Sequence, residues 1–401
     1  MNSSIDIVVC GSVDHGKSTL LGRLLLDTGS LAVEKLKELK KISSDHKKSF
    51  EPAFLIDSFR EEREDEATID ISKVFVNYRN RRLCFIDTPG HLEFIKNMMT
   101  GATRAQNAVL IIDANEGIVS QTKRHFELLK MLGIVNIIFT INKMDKVDFG
   151  AERFFELKDE IKKVFEVIED PILPVCAKNG DNVVVRGKRM RWFRGPSLMN
   201  AFLRSFKIKK EKGSLRLPLQ DVYCQGRENI CVGRIESGNL KAGQSARKWP
   251  RGENIRIISL KTLKGRRNIA FSKENVGVVL LGSDGKRGEM IYAPGIEPQI
   301  SNSIKARVFW FSKTPFKKGE SVILRCAAQE TLAGLVEVNE CRDPAAEEIF
   351  FDRQEIRQNE LADIEIKTDV AVMFERFSKV DSLGRFIFEN KEGACGAGII
   401  L

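Results

Sequence analysis

The stretch Gly11–Thr19 constrains this chain more than any other, because it fits the phosphate-binding pattern G-x-x-x-x-G-K-[ST]. The apolar, β-branched run before it predicts a buried strand, and the run after it predicts a helix. Glycines let backbone N–H groups turn inward around phosphates, and the helix dipole attracts the same charges. We therefore expect the Ser18 hydroxyl to bind Mg²⁺. The nucleotide is expected to contact Gly11, Val13, Asp14, His15, Gly16, Lys17, Ser18 and Thr19.

Residues 1 to about 205 alternate strand-like and helix-like runs. Strands are predicted near 5–10, 69–78, 82–87, 107–113, 135–141 and 171–176, and helices near 17–27, 31–42, 92–102, 119–132, 150–166 and 196–206. This alternation is typical of a doubly wound α/β domain, with a mostly parallel sheet and helices on both faces. The polar stretch 43–68 has no clear apolar period and is expected to be a functional or mobile loop.

From about residue 213 the pattern changes to short strands and glycine turns, which is typical of β-barrels. Strands are predicted at Leu217–Val222, Ile230–Ile235, Asn254–Leu260, Val276–Leu281, Ile304–Phe311, Ser321–Cys326, Ile364–Lys367, Val370–Phe374 and Arg385–Phe388. The length suits two small barrels split near Pro298–Ser303. We therefore expect a nucleotide-binding domain at 1–212 and barrel domains at 213–300 and 301–401.

A further set of ligands is expected around a terminal phosphate. Asp87 ends an apolar run, where a carboxylate can hold Mg²⁺, usually through water. Gly90 can turn its N–H toward a γ-phosphate, and His91 then lies where an attacking water needs orienting. Thr68 closes the polar loop and is expected to bind Mg²⁺ and the γ-phosphate. The alternatives are a capping or packing role for His91, a turn cap for Asp87 and a strand-entry threonine at Thr68.

The motif N-K-x-D at Asn142, Lys143 and Asp145 indicates that the base is guanine. The Asp145 carboxylate can accept hydrogen bonds from guanine N1–H and the 2-amino group, a donor pair that adenine lacks. Asn142 would brace guanine N7 or the loop, and the Lys143 stem would cover the ring. Further along the chain, a backbone N–H near Ala177 is expected to bind guanine O6 and Lys178 to stack on the base, while Cys176 is equally consistent with a core residue. The expected cofactors are GTP or GDP and Mg²⁺.

Composition adds two bounds on partners and location. The net charge of +10 permits an anionic partner without requiring one. The stretch from Arg186 to Arg216 contains eleven Lys and Arg residues and one acidic residue, Glu211. This composition is consistent with a solvated linker, or with a surface that contacts a partner or nucleic acid phosphate. The eight scattered cysteines contain no C-x-x-C and are expected to be reduced core residues of a cytoplasmic protein. No run of about 18 apolar residues occurs, so no membrane span is expected.

The phosphate loop, the D-T-P-G-H sequence at 87–91 and the guanine motif, in this order, resemble those of the translational GTPases, whose familiar member is elongation factor Tu. The resemblance covers the whole chain and implies a GTPase domain followed by two β-barrels. Within that family, several stretches are more similar to the GTPase subunit of bacterial sulfate adenylyltransferase: 11–14, 113–117 with 123–125, 218–223 with 233–238, and 384–388 through 396–400. At the Ser12 position the translation factors usually carry histidine.

The closer resemblance implies a heterodimer. A separate small, catalytic subunit would join sulfate to the AMP moiety of ATP, giving adenylyl sulfate and pyrophosphate, and GTP hydrolysis on this chain would drive that step. The alternative is an elongation factor that delivers aminoacyl-tRNA to the ribosome. Nucleic acid is expected as a partner only under this alternative.

Two departures from the family precede Thr68. Glu66 and Ala67 stand where the family usually has glycine and isoleucine. The resemblance implies that an apolar residue at the Ala67 position screens His91 from water, opposite Val13, and alanine is too small to do this well. Glutamate at position 66 adds negative charge close to phosphate and restricts positive φ. We therefore expect loop closure and the timing of hydrolysis to differ here. Cys176 replaces the usual serine, a milder change.

Overall fold

The computed structural model describes residues 4–31, 52–56, 73–87, 105–134, 136–205, 213–226, 228–262, 265–346 and 348–401. The chain divides into two compact units, Met1–Ile208 with Pro344–Ala346, and Lys209–Asp343 with Glu347–Leu401. The expected site residues Thr68, Gly90 and His91 lie outside the described residues, as do Glu66 and Ala67. The predicted helix near 92–102 and nearly all of the one near 31–42 lie outside them too.

A six-stranded sheet forms the centre of the described part of the first unit, in the order β2-β3-β1-β4-β5-β6. Its strands are β1 (Ile5–Gly11), β2 (Lys73–Tyr78), β3 (Arg81–Asp87), β4 (Asn107–Asp113), β5 (Asn136–Asn142) and β6 (Ile172–Pro174). β2 pairs with β3 in antiparallel fashion, and the other neighbours are parallel. The predicted, mostly parallel sheet is therefore confirmed.

Helices cover both faces of this sheet. The described ones are α1 (Lys17–Asp27), α2 (Ser120–Met131), α3 (Ala151–Phe165) and α4 (Leu198–Ser205), and a 3-10 turn spans Met144–Val147. On β5, Ile138 joins a buried cluster with α1 and with Phe202 of α4. The next residue, Phe139, contacts Phe126 of α2 and Phe165 of α3. Because successive strand residues point to opposite faces, α1 and α4 lie on one face and α2 and α3 on the other.

The parallel strands all present their carboxyl ends at one edge of the sheet. β1 leads into the phosphate loop, and β3 ends at Asp87, whose partner in register is Val9. β4 ends at Asp113, whose partner in register is Asn142 at the end of β5. A doubly wound sheet binds its ligands at this edge, so the fold brings the sequence-predicted residues together there.

The first β-barrel closes through a single ring of strands. Its described strands are β7 (Arg216–Gln225), β8 (Glu228–Arg234), β9 (Asn239–Lys241), β10 (Ser245–Trp249), β11 (Glu253–Thr262), β12 (Gly265–Arg267), β13 (Ile269–Phe271), β14 (Asn275–Leu281) and β15 (Met290–Tyr292). They run in the order β10-β15-β7-β8-β14-β11, and β10 also pairs with β11, which completes the ring. β12 pairs with β11 outside the ring, and β9 and β13 form a separate two-stranded sheet.

The second barrel closes in the same way. Its described strands are β16 (Gln299–Trp310), β17 (Phe316–Lys317), β18 (Ser321–Cys326), β19 (Gln329–Arg342), β20 (Ile349–Phe351), β21 (Glu355–Ile356), β22 (Leu361–Phe374), β23 (Arg385–Asn390) and β24 (Gly393–Ile400). The order is β18-β23-β24-β16-β22-β19-β20, and β18 also pairs with β19. The predicted strands Ile364–Lys367 and Val370–Phe374 are one strand, β22, and the expected architecture of an α/β domain followed by two barrels is confirmed.

A buried ion pair links the two barrels. The guanidinium of Arg216, in β7, lies 2.6 Å from the carboxylate of Glu375, just beyond β22, and both side chains are at most 2% exposed. Arg216 also donates to the carbonyl of Ile296 at 3.1 Å, and Glu375 accepts from Lys379 at 2.8 Å. This charge pair therefore has hydrogen-bond partners on both sides, as a buried pair requires.

All eight cysteines are free thiols, and seven of them are buried as expected. The expectation of a core position is wrong for Cys224, which is exposed near the end of β7. Burial raises the pKa of Cys10 and of Cys326 to about 12. Among the helices that the structure describes, none is long and apolar enough to cross a membrane.

Candidate nucleotide-binding site

The phosphate loop joins β1 to α1 through backbone that glycine permits. Gly16, the residue before α1, has φ 93°, in the left-handed region. A Cβ at Gly16 would lie 2.5 Å from the Nδ2 atom of Asn142, so a larger residue there would displace the guanine motif. Asp14 also adopts positive φ, at 61°, and Val13 is 64% exposed at the loop tip. The loop is thus an open turn held against the N-terminus of α1.

Lys17 is held inside this loop by the loop's own backbone. Its Nζ donates to the carbonyls of Gly11 at 2.9 Å and Ser12 at 2.8 Å. Ser18 and Thr19 follow in the first turn of α1, where backbone N–H groups lack intrahelical acceptors. An ammonium group beside a helix N-terminus is a suitable cradle for phosphate.

The side chain of His15 anchors the loop to the core. The ring is fully buried; Nδ1 lies 3.1 Å from the carbonyl oxygen of Ile111, and Nε2 lies 3.3 Å from Glu116 Oε2. The backbone N–H of His15 donates to Ser12 at 3.3 Å. Both ring nitrogens therefore have protein partners, and any contact of His15 with a nucleotide would involve backbone.

The carboxylate of Asp87 lies at the sheet edge beside the phosphate loop. Asp87 is fully buried at the end of β3, adjacent to β1. A buried carboxylate and the Ser18 hydroxyl are oxygen ligands of the kind that Mg²⁺ prefers, so this donor set fits the metal.

Asn142 ties together the three loops of the site. Its Nδ2 donates to the carbonyl of His15 at 2.9 Å, and its Oδ1 accepts from the backbone N–H of Ala177 at 3.0 Å. The expected bracing role of Asn142 thus consists of one bond to the phosphate loop and one to the segment after β6. In this structure the Ala177 N–H, a candidate donor to guanine O6, bonds to Asn142.

Asp145 and Lys143 are each positioned by a neighbouring side chain. The Cys176 thiol donates to Asp145 Oδ1 at 3.1 Å, and burial, together with this carboxylate, raises the pKa of Cys176 to about 11. Lys143 Nζ lies 2.8 Å from Asp113 Oδ2. Burial alone would raise the pKa of Asp113, but the hydrogen bond from Lys143 and the amide of Asn115 outweigh it, so that pKa lies below its usual value.

Sequence reasoning missed two residues that hold the loops of the site in place, Arg23 and Asp113. Arg23, in α1, donates from Nε to the carbonyl of Ala177 at 3.1 Å, and from Nη2 to the carbonyl of Lys178. Asp113 was identifiable in principle, because it ends β4 at the same sheet edge as Asp87. Arg23 carries no comparable signal, since its acceptors are backbone atoms more than 150 residues away.

Comparison with known proteins agrees with this geometry. Residues 2–214 match the elongation factor Tu GTP binding domain family, and residues 303–401 match the GTP-eEF1A C-terminal domain-like family. Elongation factor 1-alpha of Archaeoglobus fulgidus is 31% identical over 99% of this chain and 97% of that protein. Sulfate adenylyltransferase subunit 1 of Bacteroides thetaiotaomicron is 31% identical over 95% of this chain and 82% of that protein.

Among solved structures, Sup35 complexed with GDP aligns with a TM-score of 0.46 and 20% identity, over 100% of this chain and 94% of that one. The expected cofactors, GTP or GDP with Mg²⁺, agree with the GTP-binding domain family and with the donor set described above. By its family match and its full-length relatives, the chain belongs to the elongation factor Tu-like translational GTPases.

Proposed function

We propose that this chain is the GTP-hydrolysing subunit of a sulfate adenylyltransferase, acting in the cytoplasm with a small catalytic subunit that makes adenylyl sulfate from ATP and sulfate. The observation that carries the proposal is Ser12, a phosphate-loop position at which translation factors usually have histidine. The Ser12 Oγ donates a hydrogen bond to Gln121 Oε1 of α2 at 2.8 Å. This bond attaches the phosphate loop to α2. The relative from Bacteroides thetaiotaomicron supports the same choice.

A second candidate is an elongation factor that carries aminoacyl-tRNA. Elongation factor 1-alpha of Archaeoglobus fulgidus and of Pyrococcus woesei are 31% and 32% identical and cover 99% of this chain. These relatives are as similar as the sulfate adenylyltransferase subunit and cover slightly more of the chain. The two candidate functions share the GTPase site and differ in the partner, which is a catalytic protein subunit in the first and aminoacyl-tRNA in the second.

At the site, Lys17 and the N-terminal turn of α1 would neutralise and orient the phosphates. Mg²⁺, held by Ser18, Asp87 and Thr68, would neutralise charge on the β- and γ-phosphates. His91 would orient the attacking water in line with the γ-phosphate. The sequence motifs include no matched cis arginine finger, so we expect slow turnover by this chain alone and acceleration by the partner. The proposed domains are the GTPase domain at 1–212 and the barrels at 213–300 and 301–401.

Co-purification with the small subunit, followed by an assay of GTP-dependent adenylyl sulfate formation, tests the first candidate. A complex whose adenylyl sulfate yield rises with GTP supports it. No complex, together with GTP-dependent binding of aminoacyl-tRNA, supports the second candidate and overturns the first. The tRNA affinity should then fall steeply with salt, because phosphate contacts release counterions.

A further inference from the structure

A basic loop, residues 185–195, lies between β6 and α4 in the first unit. It carries five exposed cations: Arg186, Lys188, Arg189, Arg191 and Arg194. From residue 182 to residue 205 the sequence contains no aspartate or glutamate. The loop therefore concentrates positive charge within the chain's GTPase unit, away from the phosphate loop in sequence.

The basic loop is held in one conformation by the residues beneath it. The amide of Gly187 donates to Asn182 Oδ1 at 2.9 Å, and Arg186 Nη2 donates to the carbonyl of Phe193 at 2.6 Å. Trp192 Nε1 donates to the carbonyl of Phe149 at 2.9 Å, and Met190 is 1% exposed. Because the loop backbone is already ordered, binding of a partner would lose little conformational entropy in the loop.

Most of the charge on the basic loop is not neutralised by neighbours. Arg189 lies 3.7 Å from Asp181, with half of its side chain exposed. In the part of the chain that the structure describes, Lys188, Arg191 and Arg194 form no ion pair. An array of unpaired cations on a fixed loop produces a local positive potential that attracts polyanions.

Aromatic side chains lie beside these cations. Trp192 and Phe193 are half-buried within the loop, and Phe155 of α3, 50% exposed, lies with its ring centroid 5.9 Å from that of Trp192. The Arg189 guanidinium lies over the ring of Phe149, 5.1 Å from its centroid. Cations that follow a backbone, next to rings on which bases stack, are the combination that single-stranded nucleic acid requires.

We propose that the basic loop binds single-stranded nucleic acid through its phosphates. Four of its five cations are arginines, whose planar forks match phosphate better than ammonium groups do. The adjacent rings favour a nucleic acid over an acidic protein surface, which offers no bases to stack. This site goes beyond the proposed function, since it needs neither GTP hydrolysis nor the partner subunit.

The test is fluorescence anisotropy of a labelled oligouridine of roughly 12 nucleotides with the full, GDP-loaded chain, from about 50 to 200 mM KCl. The variant K188Q/R191Q/R194Q removes three cations that make no described structural bond. We expect it to lose at least about tenfold in affinity, and its salt dependence on a log–log plot to become shallower by about 2.

The matched control is K241Q/R251Q/R266Q in the first barrel, where three exposed cations are removed and the net charge changes equally. Both variants should retain GDP, which shows that the GTPase unit is folded. Equal affinity of the two variants for oligouridine, or no binding by the unmodified chain, overturns the proposal. Equally tight binding of a labelled polyaspartate peptide of the same length also overturns it, in favour of an acidic protein partner.

Discussion

The guanidinium of Arg23 donates to the backbone carbonyl of Ala177 across 3.1 Å, although 154 residues separate them in sequence. Arg23 Nη2 reaches the carbonyl of Lys178, and Nη1 donates to Asp27 at 3.3 Å. Arg23 therefore fixes the segment expected to contact guanine O6 onto α1, the helix that begins at the phosphate loop. A single side chain thereby couples the base end of the site to its phosphate end.

Arg23→Gln should weaken GDP and GTP binding by about tenfold, because two carbonyls lose a charged donor. The loss should depend on the 6-oxo group, since Arg23 positions only the segment beside it. The measurement is the affinity ratio of GTP to 2-aminopurine riboside triphosphate, which lacks that oxygen. We expect this ratio to fall in the variant.

Arg186→Gln is the matched control, because Arg186 also donates to a backbone carbonyl, that of Phe193, outside the base site. It should leave both affinities unchanged. If Arg23→Gln lowered both affinities by the same factor, Arg23 would stabilise the domain without positioning the base segment.

Cys176 supports the guanine-selecting carboxylate as a thiol donor. Its pKa of about 11 keeps the thiol protonated at neutral pH, so it can donate to Asp145. Cys176→Ala should raise the Kd for GTP by about fivefold, because Asp145 loses a fixed partner. Cys176→Ser retains a donor and should stay within about twofold of the original Kd. Unchanged GTP affinity in the alanine variant would show that the thiol only fills space.

Asp145→Asn should change the preferred base. An asparagine can donate to the 2-oxo group of xanthine, whereas the carboxylate accepts from the 2-amino group of guanine. We expect xanthosine triphosphate to compete better than GTP for the variant, measured by displacement of a fluorescent nucleotide. Undiminished preference for GTP would remove Asp145 from the base site.

The described sheet of the first unit was predictable from sequence because its central strands, β1, β4 and β5, contain long apolar runs, each followed by a turn. The barrels were only partly predictable. β19 was missed because register shifts at Leu335/Glu337 and Val338/Glu340 break the two-residue alternation that marks a strand. β24 was missed because it is rich in glycine. A Cβ at Gly396 would lie 2.5 Å from the Trp310 ring, so tertiary packing selects glycine there.

Within the site, the residues that belong to contiguous sequence motifs were predictable. The hydrogen bonds that hold those motifs in place were not. The bonds from Asn142 to His15 and from Ser12 to Gln121 join segments more than 100 residues apart. Such contacts depend on how strands are ordered in the sheet, which local patterns do not encode. The ring of His15 shows the converse, because its place in the phosphate motif gave no indication that it is buried against β4.

Hydrolysis should separate from binding in two substitutions. Lys17→Ala should abolish GTP binding, because the loop loses its ammonium. His91→Ala should bind GTP normally and hydrolyse it about 10²–10⁴-fold more slowly, the range for a positioned acid–base group. Single-turnover assays with saturating GTP measure this directly. Turnover of the His91 variant at the original rate would exclude histidine from water orientation.

The buried pair Arg216–Glu375 should contribute to stability far more than a surface pair of similar geometry. Glu375→Gln leaves the guanidinium without its counter-charge, at a cost of about 3–5 kcal/mol. Arg307 and Asp363 of the second barrel are the control: they bond in bidentate fashion at 2.6 and 2.8 Å but are 42% and 25% exposed. Asp363→Asn should therefore cost about 0–1 kcal/mol. Urea unfolding of the two variants compares these costs, and equal losses would mean that burial adds nothing to the link between the barrels.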